Sequence, residues 1–560
     1  MARSKRFPHH PGVYQAMDDL RAGKLGRREF LRLATLLGTS LPVAGALLAS
    51  CEKKGEQGAQ TAGTSTAMGT PKMGGTLRCS MRCQEMTDPA KFDWTEKSNV
   101  ARQVLEYLTI TTPDNVTHPY LCEKWDASDD LKTWTLHLRQ GVKWNNGDDF
   151  GADDVVYNFE RWLDPKTGSS NQGLFSSMVS ESNGKKKMTA GAVEKVDAHT
   201  VRLHLNRAEL AIPENLYNYP TAIVHRRFDE MGADFSKHPI GTGPFLLKDY
   251  AVGQKAVLAK RDPKEYWGDE VFLDQIHYID HGDESSAGLA ALASDQVDMV
   301  YEAFVEQLDV VKKIEGARLY ETITAQTGVA RMQVDKKPFT DHRVRTAVRI
   351  CQDHQKLLDI AYRGRGAPAE DHHVAPIHPE YAPLPKPKQD YERARQLLKE
   401  AGYPNGIDLK IDCKKEPPWE VAVAQAFAEM CKPAGIRIKI NVMPNTQYWE
   451  IWDKTDFGFT AWTHRPLGVM VLNLAYRSGV PWNETHYHNP EFDRILDQAS
   501  ATLDVDERRK YMAKLEKILQ DDAVIAQPLW RSVFAASNSK VQNYHLHPTI
   551  YHQLNKVWMA

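Results

Sequence analysis

Side chains that could do chemistry are plentiful in this chain but poorly arranged for it. There are 21 His and seven Cys. Asp371-His372-His373 and His486-Tyr487-His488 crowd imidazoles together, the donor type that suits divalent transition metals. Neither group has the i, i+4 spacing that puts two ligands on one helix face. Both lie in loop-like sequence, which favours surface or supporting roles. Cys51, Cys79, Cys83, Cys122, Cys351, Cys413 and Cys431 form neither a CxxC pair nor a zinc pattern. Cys79 and Cys83 stand too far apart for a bridge if one strand carries both, so they read as small buried apolar residues. GxSxG, HExxH, GxxxxGK[ST] and EF-hand patterns are missing. Gly241-Thr242-Gly243-Pro244 is the nearest approach to a phosphate loop. Its Pro removes a backbone donor and no third Gly follows, so it reads as a tight turn between strands. Asp153-Asp154 sits where a helix begins and complements the helix dipole.

The elements that must position these residues are those of a globular protein. The 560 residues are 42% hydrophobic and 9% aromatic, which excludes global disorder and a fibrous protein. A net charge of −2 argues against a dedicated nucleic-acid binder. The mean hydropathy of −0.52 excludes a polytopic membrane protein. The length corresponds to about three units of roughly 100–200 residues.

Periodicity sketches the elements. A short strand is expected at 75–81. A helix is expected over 97–108, with Val100, Val104, Leu105 and Leu108 on one face. Residues 134–139 and 201–205 alternate as half-buried strands, and 152–163 switches to a helical period. Strand, helix and strand follow over 276–301. Residues 391–462 repeat that alternation: helices at 391–401, 419–432 and 446–453, strands at 407–413, 436–440 and 457–462. Short Gly-bearing connections between them indicate layered α/β units, with extra β structure near 110–205.

The N-terminus reads as an address. Gly26-Arg27-Arg28-Glu29-Phe30-Leu31-Arg32 precedes a weakly apolar stretch at 31–50 and resembles a bacterial twin-arginine export signal. The stretch ends in Leu48-Ala49-Ser50-Cys51, which resembles a lipobox, with cleavage before a lipid-bearing Cys51. The alternative is a single N-terminal anchor helix; either places the body outside the cytoplasmic membrane. Residues 1–50 contain eight Lys/Arg and three Asp/Glu, so the exported chain has a net charge of −7. Residues 51–73 are rich in Gly, Ala, Thr and Ser and read as a flexible tether.

A family resemblance covers the rest. Lys124-Trp125, Trp134-Thr135-Leu136-His137-Leu138-Arg139, Gly141-Val142-Lys143-Trp144, Asn146-Gly147 and Asp153-Asp154-Val155-Val156-Tyr157 resemble the signature block of the extracytoplasmic solute-binding proteins of family 5. Pro239 to Phe245, Asp341 to Ala347 and Asn489-Pro490-Glu491-Phe492-Asp493 extend the match in order. The resemblance implies a two-lobed α/β fold of the periplasmic-binding-protein type II-like class, with an additional β-rich subdomain. It implies lobe I at 74–303 plus 533–560 (subdomain about 110–190) and lobe II at 304–532, with a ligand cleft between hinged lobes. The implied function is the substrate-binding subunit of an ABC importer, capturing a peptide-like or other polar or anionic solute for a membrane permease and ATPase. No turnover, no cofactor and no nucleic acid are expected. The implied setting is a monomer in the periplasm or cell envelope, held to the membrane by its lipid. A metal or metal-chelate carrier using His372, His373 or His464 is the alternative, and a secreted hydrolase the remoter one.

In peptide-binding members an Asp just after a Trp-bearing strand holds the ligand's ammonium. The corresponding stretch here is Phe459-Thr460-Ala461-Trp462-Thr463-His464-Arg465, where the acid is missing. Arg465 suits a carboxylate or another strongly hydrogen-bonding group; the alternative is a latch to an acid of the other lobe. Trp482 offers a stacking face beside Asn483, with packing inside the lobe equally open. Glu96 and Asn99 fall where the family's first-lobe cleft residues lie, with helix capping as the alternative. Thr327 follows the crossover and is expected to point into the cleft.

Overall fold

The computed structural model describes Leu20, residues 70–182 and residues 185–560. The twin-arginine-like stretch, the lipobox with Cys51 and nearly all of the tether lie outside them. Among the described residues no helix is long and apolar enough to cross a membrane.

The chain divides into two compact units. The first takes residues up to Tyr301, then Lys313–Arg318 and Ala536–Ala560. The second takes Glu302–Lys312 and Leu319–Ala535.

In the first unit a sheet runs Phe245–Ala251, Lys255–Lys260, Gln275–Ile279, Thr76–Ser80, Met299–Ala303 in spatial order. Thr76–Ser80 pairs in parallel with both of its neighbours, and the helix Ser285–Ala293 makes the crossover. A separate four-stranded antiparallel sheet joins Cys122–Ala127, Thr133–Leu138, Thr200–His204 and Val193–Asp197. The helix Ala152–Leu163 packs on it. Asp154 starts that helix by accepting the Gly151 N–H at 3.0 Å. Trp125, Trp134, Trp144 and Trp162 are wholly buried around this second sheet.

The helix expected over 97–108 is shorter, Thr95–Ala101. Beyond it the carbonyls of Gln103, Val104, Glu106 and Leu108 accept N–H groups from Phe245, Gly243, Ile223 and Cys122. Long-range partners replace the i+4 ladder, so the turns open although Val104, Leu105 and Leu108 are buried as their pattern demands. The same contact explains the Gly241–Pro244 segment. A Cβ on Gly241 would sit 1.9 Å from the Val104 carbonyl oxygen, and one on Gly243 would sit 2.7 Å from it. These glycines admit a backbone.

The second unit has a mixed sheet in the order Leu529–Ser537, Arg318–Met332, Phe457–Trp462, Ile407–Lys414, Ile436–Met443. The last two strands pair in parallel around the helix Pro418–Cys431, as their alternation predicts. Asp341, Asp353, Asp390 and Asp504 cap helices by accepting N–H groups of the first turn. Cys79, Cys83, Cys122, Cys351, Cys413 and Cys431 are free and buried.

Candidate functional site

The residues singled out by sequence sit on two different supports. Trp462, His464, Arg465, Thr327, Trp482 and Asn483 belong to the second unit, and Glu96 and Asn99 to the first.

In the second unit, Trp462 ends the strand Phe457–Trp462 and stands opposite Thr327 in antiparallel register. Two glycines make room beneath it. A Cβ on Gly458 would lie 2.8 Å from the Arg331 guanidinium, and one on Gly328 would lie 2.5 Å from the Phe459 ring. Arg331 is fully buried and donates to Glu484 at 3.0 Å and to the carbonyls of Trp452 and Thr455. Glu484 also accepts the Trp462 indole N–H and the Thr460 hydroxyl, each at 2.7 Å. Burial pushes the Glu484 carboxyl up, and Arg331 pulls it down. Sequence reasoning missed Arg331 and Glu484. The available signals were a glycine inside an apolar strand and an acid beside Trp482-Asn483.

From Trp462 a row of rings runs outward. Trp482 meets it edge-on at 5.9 Å, Trp452 meets Trp482 at 6.2 Å, and Trp449 meets Trp452 at 6.0 Å. Trp462 is buried, while Trp482, Trp452 and Trp449 are half-buried. On its other side the Trp462 ring faces His373 at 5.5 Å. Burial first, with the nearby Arg465 guanidinium adding to it, holds His373 neutral, down to about 3.

His464 is buried and its Nδ1 accepts the Ala325 N–H at 3.0 Å. His378 accepts the Ala375 N–H on Nδ1 and reaches the Arg465 carbonyl with Nε2, so its proton sits on Nε2. Arg465 is 3% exposed, and its Nη1 donates to Thr463 Oγ1 at 2.5 Å and to the His464 carbonyl at 3.1 Å.

Three of the predicted residues act as internal fasteners. Asn483 donates to the carbonyls of Arg477 and Tyr487 and accepts from Thr485 and Tyr487, which fixes the loop that carries Trp482. Thr327 donates to the Leu529 carbonyl at 2.6 Å. Asn99 donates to the Ile550 carbonyl and accepts the His552 N–H, both at 3.0 Å. Asn99 lies inside its helix and does not cap it; the N-cap position is Trp94. Glu96 is half-buried in that helix's first turn.

The histidine pair 372–373 is not on the surface, because tertiary packing encloses its loop. His372 is fully buried, 3.2 Å from Glu370 and 3.6 Å from Glu516. Burial pushes Glu516 up to about 9, and Glu370 and Glu380 add to that rise against the Ala382 N–H. His486 and His488 are exposed. Among the described residues no group of three His, Cys, Asp or Glu is arranged to hold a metal ion. The second unit thus offers aromatic faces, indole and guanidinium donors and a rigid backing.

Residues 116–472 match the profile of the bacterial extracellular solute-binding proteins, family 5 Middle. The chain is 26% identical over 462 residues to the periplasmic oligopeptide-binding protein OppA of Haemophilus influenzae, covering 78% of this chain and 84% of the relative. It is 26% identical over 513 residues to di/tripeptide-binding protein 1 of Pseudomonas aeruginosa, covering 84% and 91%. The fold matches the periplasmic binding protein DppA of Helicobacter pylori, solved with the peptide STSA. The TM-score is 0.76 at 22% identity, over 87% of this chain and 98% of that one.

Proposed function

The chain belongs to the bacterial extracellular solute-binding proteins of family 5, and from that premise we propose that it captures a peptide-like solute for an ABC importer. Its fold is the type II-like periplasmic binding class, built on mixed α/β sheets. The observation that carries the reading is the family match over 116–472, joined by relatives that bind oligopeptides and di- or tripeptides. The metal-carrier alternative is not favoured: His372 faces carboxylates of the core and His373 faces Tyr476 and Trp462.

Within this reading Trp482 presents its half-buried face to the ligand, with Trp462 and Glu484 as its backing. Arg465 and His464 border the same strand end and meet the ligand's polar groups. Glu96, in the first unit, is a further ligand contact in this reading. Asn99, Thr327 and Asn483 hold the elements that carry these contacts. The protein works as a monomer without turnover, exported through the arginine-pair signal and held to the envelope by a lipid on Cys51.

Native mass spectrometry of gently purified protein, followed by thermal-shift screening with di-, tri- and oligopeptide mixtures, tests the reading. A bound peptide is expected, with stabilisation of about 2.7 kcal/mol at a hundredfold excess over Kd. Failure of every peptide class to shift melting overturns it. Metabolic labelling with palmitate tests the anchor: label lost in Cys51→Ala is expected, and label retained refutes Cys51 as the lipid site.

A further inference from the structure

The first unit contains a buried cation that no carboxylate among the described residues pairs with. Arg102 follows the helix Thr95–Ala101 and is 8% exposed. Three rings surround its guanidinium, with Cζ at 3.9 Å from the centroid of Tyr551, 4.8 Å from Tyr107 and 5.1 Å from Tyr217. Its side chain makes one hydrogen bond, from Nη2 to Ser98 Oγ at 3.3 Å, and its Nε is buried without a partner. Among the described residues no carboxylate pairs with it. The imidazoles of His547 and His552 close the surroundings, and burial, then the Arg102 charge, keeps both neutral.

A buried charge is costly unless it is paired, and ring faces compensate only part of the lost hydration. Two of the three tyrosine hydroxyls are engaged elsewhere. The Tyr107 hydroxyl donates to the Tyr219 carbonyl, and that of Tyr217 accepts from Gln553. A guanidinium is a planar fork of donors that suits the oxygens of an anion, and here Nε is without a partner. The site holds a single cation, so a monoanion matches it and a dianion does not.

We propose that Arg102 in its tyrosine cage is a carboxylate-binding subsite. The carboxylate comes either from the C-terminus of a peptide-like ligand or from a small free acid. The first source rests on the function proposed above. It is consistent with the place of Arg102, less than two turns beyond Glu96 on the same stretch of chain.

Calorimetric titration of the mature protein with a tripeptide mixture, as free acids and as C-terminal amides, tests the peptide source. The amides are expected to bind at least about tenfold more weakly, and Arg102→Met is expected to erase the difference. Equal affinity of acids and amides for the wild type overturns the peptide source. Melting in sodium formate against sodium chloride at equal ionic strength tests the small-acid source. Formate is expected to raise the wild-type melting temperature above chloride and to leave Arg102→Met unmoved. If neither peptide form binds, the peptide reading of the function fails and the formate arm alone decides the subsite. A negative result in both arms makes Arg102 only a clamp for residues 547–553 and overturns the proposal. Should Arg102→Met fail to fold, wild-type crystals grown in formate decide: density for the anion on the guanidinium is expected, and its absence there refutes the site.

Discussion

Replacing Arg531 by Met tests how the second unit is held together around its crossover strand. Arg531 is 4% exposed and lies in the strand Leu529–Ser537. It pairs with Glu302 at 2.8 Å and grips Gln326 Oε1 with Nε and Nη2 at 3.2 and 2.7 Å. It also reaches Tyr362 Oη at 3.4 Å and covers the Trp419 ring at 4.7 Å. Burial works against its charge, and Glu302 more than restores it, so the guanidinium stays a cation at every accessible pH. Met fills most of the volume but leaves the Glu302 carboxylate, whose side chain is only 10% exposed, without its partner. Breaking a buried pair from one side costs about 3–5 kcal/mol. For a unit of 150–250 residues each kcal/mol lowers Tm by about 2–4 °C, so a fall of about 6–20 °C is expected. Scanning calorimetry of the purified protein reads it directly. The double variant Arg531→Met/Glu302→Leu removes both charges and is expected to recover most of the loss, because apolar replacements of a buried pair are often neutral. The fall is also expected to persist in about 0.5 M salt, roughly threefold above physiological strength, since buried pairs are little screened. A single variant melting within about 2 °C of wild type refutes the reasoning. So does a double variant whose loss is the plain sum of the singles to within about 0.5 kcal/mol.

Gly241→Ala places a methyl 1.9 Å from the Val104 carbonyl oxygen. Backbone must move, so a loss of at least about 3 kcal/mol or insoluble protein is expected; a soluble variant with unchanged Tm contradicts the close approach. Glu516 keeps its proton in the folded unit up to about 9, whereas an unfolded chain releases it near about 4.3. The native state therefore holds the extra proton between these values, and stability falls as pH rises through that window, by up to about 1.4 kcal/mol per pH unit. Glu516→Gln is expected to flatten the decline of Tm between about pH 5.5 and 8, and an unchanged slope refutes this assignment. Trp482→Ala is expected to weaken peptide binding about tenfold at a cost to peptide-free stability of only about 1 kcal/mol; unaltered binding removes Trp482 from the site. Asn99→Ala strips the Ile550 carbonyl and the His552 N–H of their partners and is expected to cost about 1–3 kcal/mol in urea unfolding. A cost below about 0.5 kcal/mol is the contrary result.

Much of the fold is local and was legible in the sequence. The helix Ala152–Leu163 and the alternation over 391–462 follow from periodicity and capping, which are short-range properties. The family motifs are equally local, because they mark turns and packing positions that neighbours in the chain define. Where long-range partners compete with the local ladder, reading by period fails. The helix that stops at Ala101 is such a case, since residues 223 and 243–245 take the carbonyls that would have continued it. His372 and His373 are another, since loop-like composition carries no information about the helices and strands that enclose it.

Determined by the sequence alone were the element order, the family and the residue types near the strand end at Trp462. Tertiary structure alone decided what those residues do. It places Arg331 and Glu484, 153 positions apart, beneath one indole. It turns Asn99, Thr327 and Asn483 into fasteners of distant segments. It buries Arg102 among tyrosines drawn from three parts of the chain. The physical reason is that periodicity encodes which face a side chain takes. Its hydrogen-bond partner and its desolvation depend on segments brought together only when the core closes.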